Sequence, residues 1–207
     1  TTYENDSFPK DFVGINGNYF FSAQSSAFYS LETRQSETLI GGLELWFSDG
    51  TESGTDLVKD IYYGSSSGYI QHMTAVGDVV FFSGYNGSSS MGYELWTSDG
   101  TESGTFMVKD IRSGSSSSEP EHLTAVGDLV FFEANDGTNG RELWKSNGTE
   151  SGTVMVKNIR SGSSSSNLQN FVNLNGTLLF SANDGSTGQE LWKSNGTTSG
   201  TVMVKDI

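Results

Sequence analysis

The chain has 207 residues, 34% of them hydrophobic and 12% aromatic, with 26 Gly, 2 Pro and no Cys. That length can bury a real core, and Gly with so little Pro points to tight turns rather than disorder. Eleven Lys and Arg against 25 Asp and Glu give a formal charge of −14, which repels phosphate backbones and anionic lipid and so excludes nucleic acid as a partner.

The missing Cys removes disulfides, thiol catalysis and thiolate zinc sites. No stretch approaches the ~18 apolar residues of a membrane helix, so no membrane partner is expected. The chain begins at Thr1 with no signal-peptide core; the expectation is a processed mature protein or a piece of a longer one.

In chain order, the elements are four copies of one unit. Glu-Leu-Trp ends at Trp46, Trp96, Trp144 and Trp192, which are all the tryptophans of the chain. Each is followed by x-Ser-Asp/Asn-Gly-Thr-x-Ser-Gly-Thr and then Val-Lys-Asp/Asn-Ile, at Val58–Ile61, Val108–Ile111, Val156–Ile159 and Val204–Ile207. Upstream lies an apolar run closed by Phe, at Gly17–Phe21, Gly77–Phe82, Gly127–Phe132 and Gly176–Phe180. The copies run about 11–62, 63–112, 113–160 and 161–207, leaving Thr1–Lys10 outside. In the third copy four strands are expected, near His122–Val126, Leu129–Ala134, Arg141–Ser146 and Thr153–Ile159. Asn-Gly and Asp-Gly between them form turns because Gly accepts a positive φ.

The last hairpin of each copy has a readable register. Pairing Ser146 with Thr153 sets Trp144 opposite Met155, Leu143 opposite Val156, and Glu142 opposite Lys157, a cross-strand ion pair. Glu44/Lys59, Glu94/Lys109 and Glu190/Lys205 follow the same spacing. Trp and Leu, being adjacent, point to opposite faces, so both faces are buried and the sheets must stack. That describes an all-β fold: a β-propeller of four blades, each of four antiparallel strands, forming a single domain over 1–207. The Ser-rich stretches Tyr62–Gln71, Arg112–Glu121 and Arg160–Gln169 are the crossings between blades. Four blades close a ring, or else form part of a larger one built from a longer parent or several chains.

The string Glu-Leu-Trp-x-x-Asp-Gly-Thr-x-x-Gly-Thr resembles the ELWxxDGT repeat proteins, mostly large secreted or surface proteins of bacteria. The resemblance spans four copies and implies a propeller and an extracellular location, but no settled activity. In blade number and size the chain is also similar to four-bladed propellers of the hemopexin type, though no hemopexin motif is present. The first copy departs from the pattern over Gln24–Gly42, where a specialised edge is expected.

Few residues carry chemistry. His72 and His122 occupy matched positions, with Asp11 and Asn170 as the other equivalents; they form a polar ring at the axis or are ordinary link residues. No Ser-His-Asp set can be assembled, so no catalytic residue is assigned and no enzyme is expected. Near-identity of copies two to four also argues against the asymmetry an active site needs. Asp136 and Asp184, in Asn-Asp-Gly turns, are hard oxygen donors for calcium, or else plain turn residues. Tyr62, Tyr63, Tyr69, Tyr85 and Tyr93 lie in or beside loops, with Tyr29 in the first copy; they stack on sugar rings or pack between blades. The expected function is therefore a secreted, lectin-like module that binds glycans or cell-surface ligands. The alternative is a structural or cell-adhesive repeat module of an extracellular assembly, with a homo-oligomer left open.

Overall fold

The computed structural model describes residues 7–24, 42–64 and 66–207. Four antiparallel sheets of four strands follow one another along the chain. Sheet 1 comprises β1 (Lys10–Ile15), β2 (Asn18–Gln24), β3 (Leu43–Ser48) and β4 (Thr55–Lys59). Sheet 2 comprises β5 (Gln71–Val76), β6 (Val79–Gly84), β7 (Glu94–Ser98) and β8 (Phe106–Lys109). Sheet 3 comprises β9 (Glu121–Val126), β10 (Leu129–Asn135), β11 (Arg141–Ser146) and β12 (Val154–Lys157). Sheet 4 comprises β13 (Gln169–Leu174), β14 (Thr177–Asn183), β15 (Gln189–Ser194) and β16 (Val202–Lys205). Each sheet pairs its strands in sequence order, and among the described residues there is no helix. The tail expected for the fourth strand is cut short: Asn158 and Ile159 turn into the crossing.

Each sheet has a forward and a rear face. The forward face of sheet 1 (Ile15, Phe20, Leu45, Val58, Ile61) packs on the rear face of sheet 2 (Ile70, Val80, Phe82, Trp96). Sheet 2 meets sheet 3 in the same way through Phe81 and Leu95 against Phe132 and Trp144. Sheet 3 meets sheet 4 through Phe131 and Leu143 against Phe180 and Trp192. Neighbouring sheets also touch along their first strands, where Thr74 Oγ1 donates to the Leu123 carbonyl at 2.8 Å and Asn173 Nδ2 to that of Ala125 at 2.9 Å. The architecture is propeller-like, with β1, β5, β9 and β13 innermost.

The Ser-rich crossings are ordered by hydrogen bonds. Ser67, Ser117 and Ser165 hydroxyls accept from the backbone N–H of Leu43, Tyr93 and Arg141. The Glu of each Glu-Leu-Trp turns inward and holds the same crossing. Glu44 accepts from the Ile61 and Gly68 N–H groups, at 2.8 Å each. Glu94 accepts from the N–H of Ile111 and Ser118, and Glu142 from that of Ile159.

This replaces the expected Glu–Lys ion pair. Trp144 does face Met155, but a bulge between Leu143 and Trp144 puts Leu143 opposite Lys157. An extra residue in one strand shifts what lies beyond it, so Glu142 and Lys157 part company. The lysines reach forward instead: the Nζ atoms of Lys59, Lys109 and Lys157 donate to the carbonyls of Thr105, Thr153 and Thr201 in the next sheet, at 2.8, 3.0 and 2.7 Å.

The Asp-Gly-Thr turns explain their own Asp/Asn exchange. Asp49 Oδ1 accepts from the Thr51 N–H and hydroxyl at 2.8 and 2.7 Å, and Asn147 Oδ1 does the same for Thr149 at 3.1 and 2.7 Å. One carbonyl-type oxygen suffices, so no charge is required. The Gly that closes the turn is fixed sterically, since a Cβ on Gly54 would collide with the Asp49 carboxylate.

One boundary differs from the sequence reading. Residues 7–10 are not outside the repeat. The Ser7 carbonyl accepts from Gln24 N–H as that of Ser118 accepts from Asn135, so they stand where a crossing enters a sheet. Of the two arrangements left open by the sequence, a closed ring of four sheets is not formed among the described residues. Leu191 on the forward face of sheet 4 is 38% exposed, whereas its counterparts Leu45, Leu95 and Leu143 are fully buried. The first-copy segment 25–41, with Tyr29, lies outside the described residues. Among those residues no helix is long and apolar enough to cross a membrane.

Candidate functional site

The sheets differ most at the end where the crossings enter. There the first strand of every sheet opens with a bulge whose central residue has a left-handed backbone: Asp11, His72, His122 and Asn170, at φ 58°, 57°, 57° and 59°. A non-glycine residue pays for this conformation, and its recurrence at four matched positions makes it a property of the repeat. The residue three places earlier is left-handed as well: Phe8, Tyr69, Glu119 and Asn167.

That earlier residue meets the start of the third strand, and the pair changes in each sheet. In sheet 2, Tyr69 packs edge-on against Tyr93, ring centroids 6.0 Å apart. In sheet 3, Glu119 Oε2 lies 2.9 Å from Nη1 of Arg141. In sheet 4, Gln189 Nε2 donates to the Asn167 carbonyl at 2.8 Å. A common backbone therefore displays aromatic, ionic and amide pairs at one end of the molecule.

Between sheets 2 and 3 these positions line a cleft of about 210 Å³ formed by Gln71, His72, Ser83, Tyr93, Glu119, Pro120 and Glu121. An aromatic ladder leads to it: Tyr62 meets Tyr85 edge-on at 5.5 Å, Tyr85 stacks on Tyr93 at 5.4 Å, and Tyr93 meets Tyr69. Four of the five tyrosines singled out in the sequence thus join, together with His72. Tyr63, 77% exposed, takes no part in these ring contacts.

Behind the cleft stands a charged cluster that sequence reasoning missed. The Arg141 guanidinium contacts Glu119, Glu121 at 2.8 Å and Glu133 at 3.5 Å. His122 Nε2 is 3.9 Å from Glu133 Oε2. Burial pushes the Glu133 carboxyl up, against the pull of Arg141 and His122. The signal was present: Glu133 stands where the other copies have Ser22, Ser83 and Ser181, and Arg141 where they have Leu43, Tyr93 and Gln189. The copies are thus asymmetric at this end, contrary to expectation. Glu121, His122 and Glu133 are close enough to share a cation, but the Arg141 guanidinium already occupies their oxygens, which does not fit a metal ligand set.

Asp136 and Asp184 are engaged in their turns. Asp136 accepts from the N–H of Thr138 and Asn139 and from the Asn139 side chain. Asp184 Oδ1 alone accepts four donors from Ser186 and Thr187, which hold the carboxyl well below its usual range. Among the described residues neither belongs to a group of three acidic or histidine ligands. A ligand that binds only the folded state raises stability by mass action. EDTA is therefore expected to move the melting temperature by less than about 1 °C; a larger drop would restore calcium at these turns.

A larger cavity of about 470 Å³ lies elsewhere, on the rear face of sheet 1, lined by Phe12, Tyr19, Phe21, Ala23 and Trp46 among others. It is the counterpart of the surface that sheets 2, 3 and 4 bury against their predecessors, and it is uncovered among the described residues.

No protein-family model matches the chain, and no curated protein is similar to it in sequence. Solved structures are similar in fold. A puromycin hydrolase variant complexed with PGG superposes with a TM-score of 0.57 at 13% identity, covering 95% of this chain and 30% of that one. A structure from a study of two prolyl endopeptidases gives 0.54 at 12% identity, covering 90% and 24%. The chain therefore spans about a quarter to a third of the length of these proteins, and at such identity the likeness concerns fold alone.

Proposed function

We propose that this chain is a non-enzymatic extracellular binding module of the β-propeller class, similar to ELWxxDGT repeats, that recognises glycans at the cleft between sheets 2 and 3. The observation that carries this reading is the tyrosine ladder running into a polar cleft. Ring faces stack on the C–H faces of sugars, and Glu119, Glu121, Gln71, His72 and Ser83 offer hydrogen-bond partners for hydroxyls. Surplus carboxylate around Arg141 favours neutral or amino sugars over acidic ones. Catalysis has less support, because the acids of the cleft are tied to one guanidinium.

The test is a glycan array followed by calorimetry on the best binder. Tyr93→Ala is expected to weaken binding about tenfold, as the loss of one stacked ring of roughly 1 kcal/mol or a little more implies. Tyr63→Ala is expected to change nothing. A chain that binds no neutral or amino sugar, or one whose binding survives Tyr93→Ala, overturns the proposal.

A further inference from the structure

Three buried junctions follow one rule, forward face on rear face, and among the described residues the rule leaves one face of each kind uncovered. On the forward face of sheet 4, Leu174, Leu191, Val204 and Ile207 are 53%, 38%, 48% and 88% exposed. On the rear face of sheet 1, Phe12 and Tyr19 are 60% and 48% exposed beside Trp46. The polar groups are uncovered in register as well. Lys205 repeats Lys59, Lys109 and Lys157, each of which donates to a carbonyl of the following sheet. The carbonyl that repeats Thr105, Thr153 and Thr201 is that of Thr55, on sheet 1. Ser7 repeats Gly68, Ser118 and Ser166, whose N–H groups donate to the carbonyls of Leu43, Tyr93 and Arg141. The matching carbonyl on sheet 4 is that of Gln189. One chain thus carries both halves of a junction that it already forms three times.

We infer that two copies of this chain associate head to tail, the forward face of sheet 4 in each covering the rear face of sheet 1 in the other. The product is a closed two-fold ring of eight sheets with no face left over. Lys205 of one copy reaches the Thr55 carbonyl of its partner, and the entering segment at Ser7 docks on the start of β15. The occupant is fixed by continuity: the new junction repeats the plan of the three existing ones, with Leu191, Val204 and Ile207 where sheet 3 has Leu143, Val156 and Ile159, and Phe12 and Trp46 where sheet 4 has Phe171 and Trp192. An association of this kind closes, whereas a forward-to-forward pairing would set Lys193 and Lys205 against their own copies.

The test is the mass of the 207-residue chain in solution by light scattering after size exclusion, across 1–100 µM. The expected result is twice the chain mass over most of that range. Leu191→Glu spoils the forward face and Phe12→Glu the rear face; both positions are exposed, so tryptophan fluorescence and circular dichroism should stay native. Each variant alone is expected to be monomeric over the whole range. Mixed one to one, they regain a dimer at tenfold or more above the wild-type concentration midpoint, because one intact junction survives between them. Rescue in the mixture is particular to head-to-tail contact. A monomeric wild-type chain overturns the inference and leaves the two faces to further repeats of a longer chain. A Phe12→Glu variant that still dimerises alone overturns it in favour of like-face pairing.

Discussion

Trp144→Ala is expected to destabilise the fold by about 3–5 kcal/mol, the range for removing a large aromatic from a packed core. The ring is 6% exposed, lies opposite Met155 and beside Phe132, and fills the junction with Phe81 and Leu95 of the preceding sheet. Its indole N–H has no protein partner, so truncation sacrifices no hydrogen bond and the loss is one of packing. Trp46 closes the same Glu-Leu-Trp motif and has the same place in its sheet, but it borders the open 470 Å³ cavity on the rear face of sheet 1. At a concentration where the chain is monomeric, Trp46→Ala is expected to cost about half as much, since only one side of the ring is packed. Urea unfolding of both variants decides the matter. Equal losses would mean that the rear face of sheet 1 is covered in the isolated chain.

That contrast marks where the sequence stops speaking. Sixteen strands, their order within each sheet and the Trp144–Met155 pairing were readable, because Asn-Gly and Asp-Gly turns fix hairpin register and the repeat supplied four parallel readings. The bulge before Trp144 was not readable. A bulge adds one residue without a distinctive residue type, and one residue is enough to move Glu142 from a lysine partner to the interior. The cleft was half legible. Its tyrosines stand out as loop aromatics, but the ladder from Tyr62 to Tyr69 joins a crossing, the end of one strand and the start of another. Glu133 and Arg141 were visible as single-copy exceptions, and similarity elsewhere in the repeat drew attention away from them. The uncovered faces had no signature, since Leu191 and Leu143 occupy identical motifs. Only the placement of a neighbour tells them apart.

Stability is expected to fall as pH rises from about 5 to 8.5, opposite to the behaviour of proteins held by ionised carboxylates. Burial pushes the carboxyl of Glu44 up to about 8 and those of Glu94 and Glu142 up to about 7, despite the backbone N–H groups that favour the ionised form. All three side chains are fully buried. The unfolded chain releases these protons near pH 4.5, while the folded chain keeps them until pH 7–8. Between those limits the folded state binds more protons, so each step upward in pH favours unfolding, and the loss is complete above the folded values. The three groups act in the same direction, so the melting temperature is expected to fall by more than about 10 °C across the interval. Surface repulsion in an acidic protein acts in the same direction but is screened by salt, so the part that persists in 0.5 M NaCl belongs to the buried groups. Glu94→Gln keeps an acceptor for the Ile111 N–H and removes the titration. It is expected to flatten the pH slope by about a third and to match or exceed the wild-type chain at pH 8.5. Glu94→Leu removes the acceptor as well and is expected to cost about 2–3 kcal/mol at either pH, the penalty of a buried N–H left unpaired. A melting temperature that rises or stays level across this interval, or a Gln variant with an unchanged slope, would show that the Glu of Glu-Leu-Trp is ionised in the folded chain.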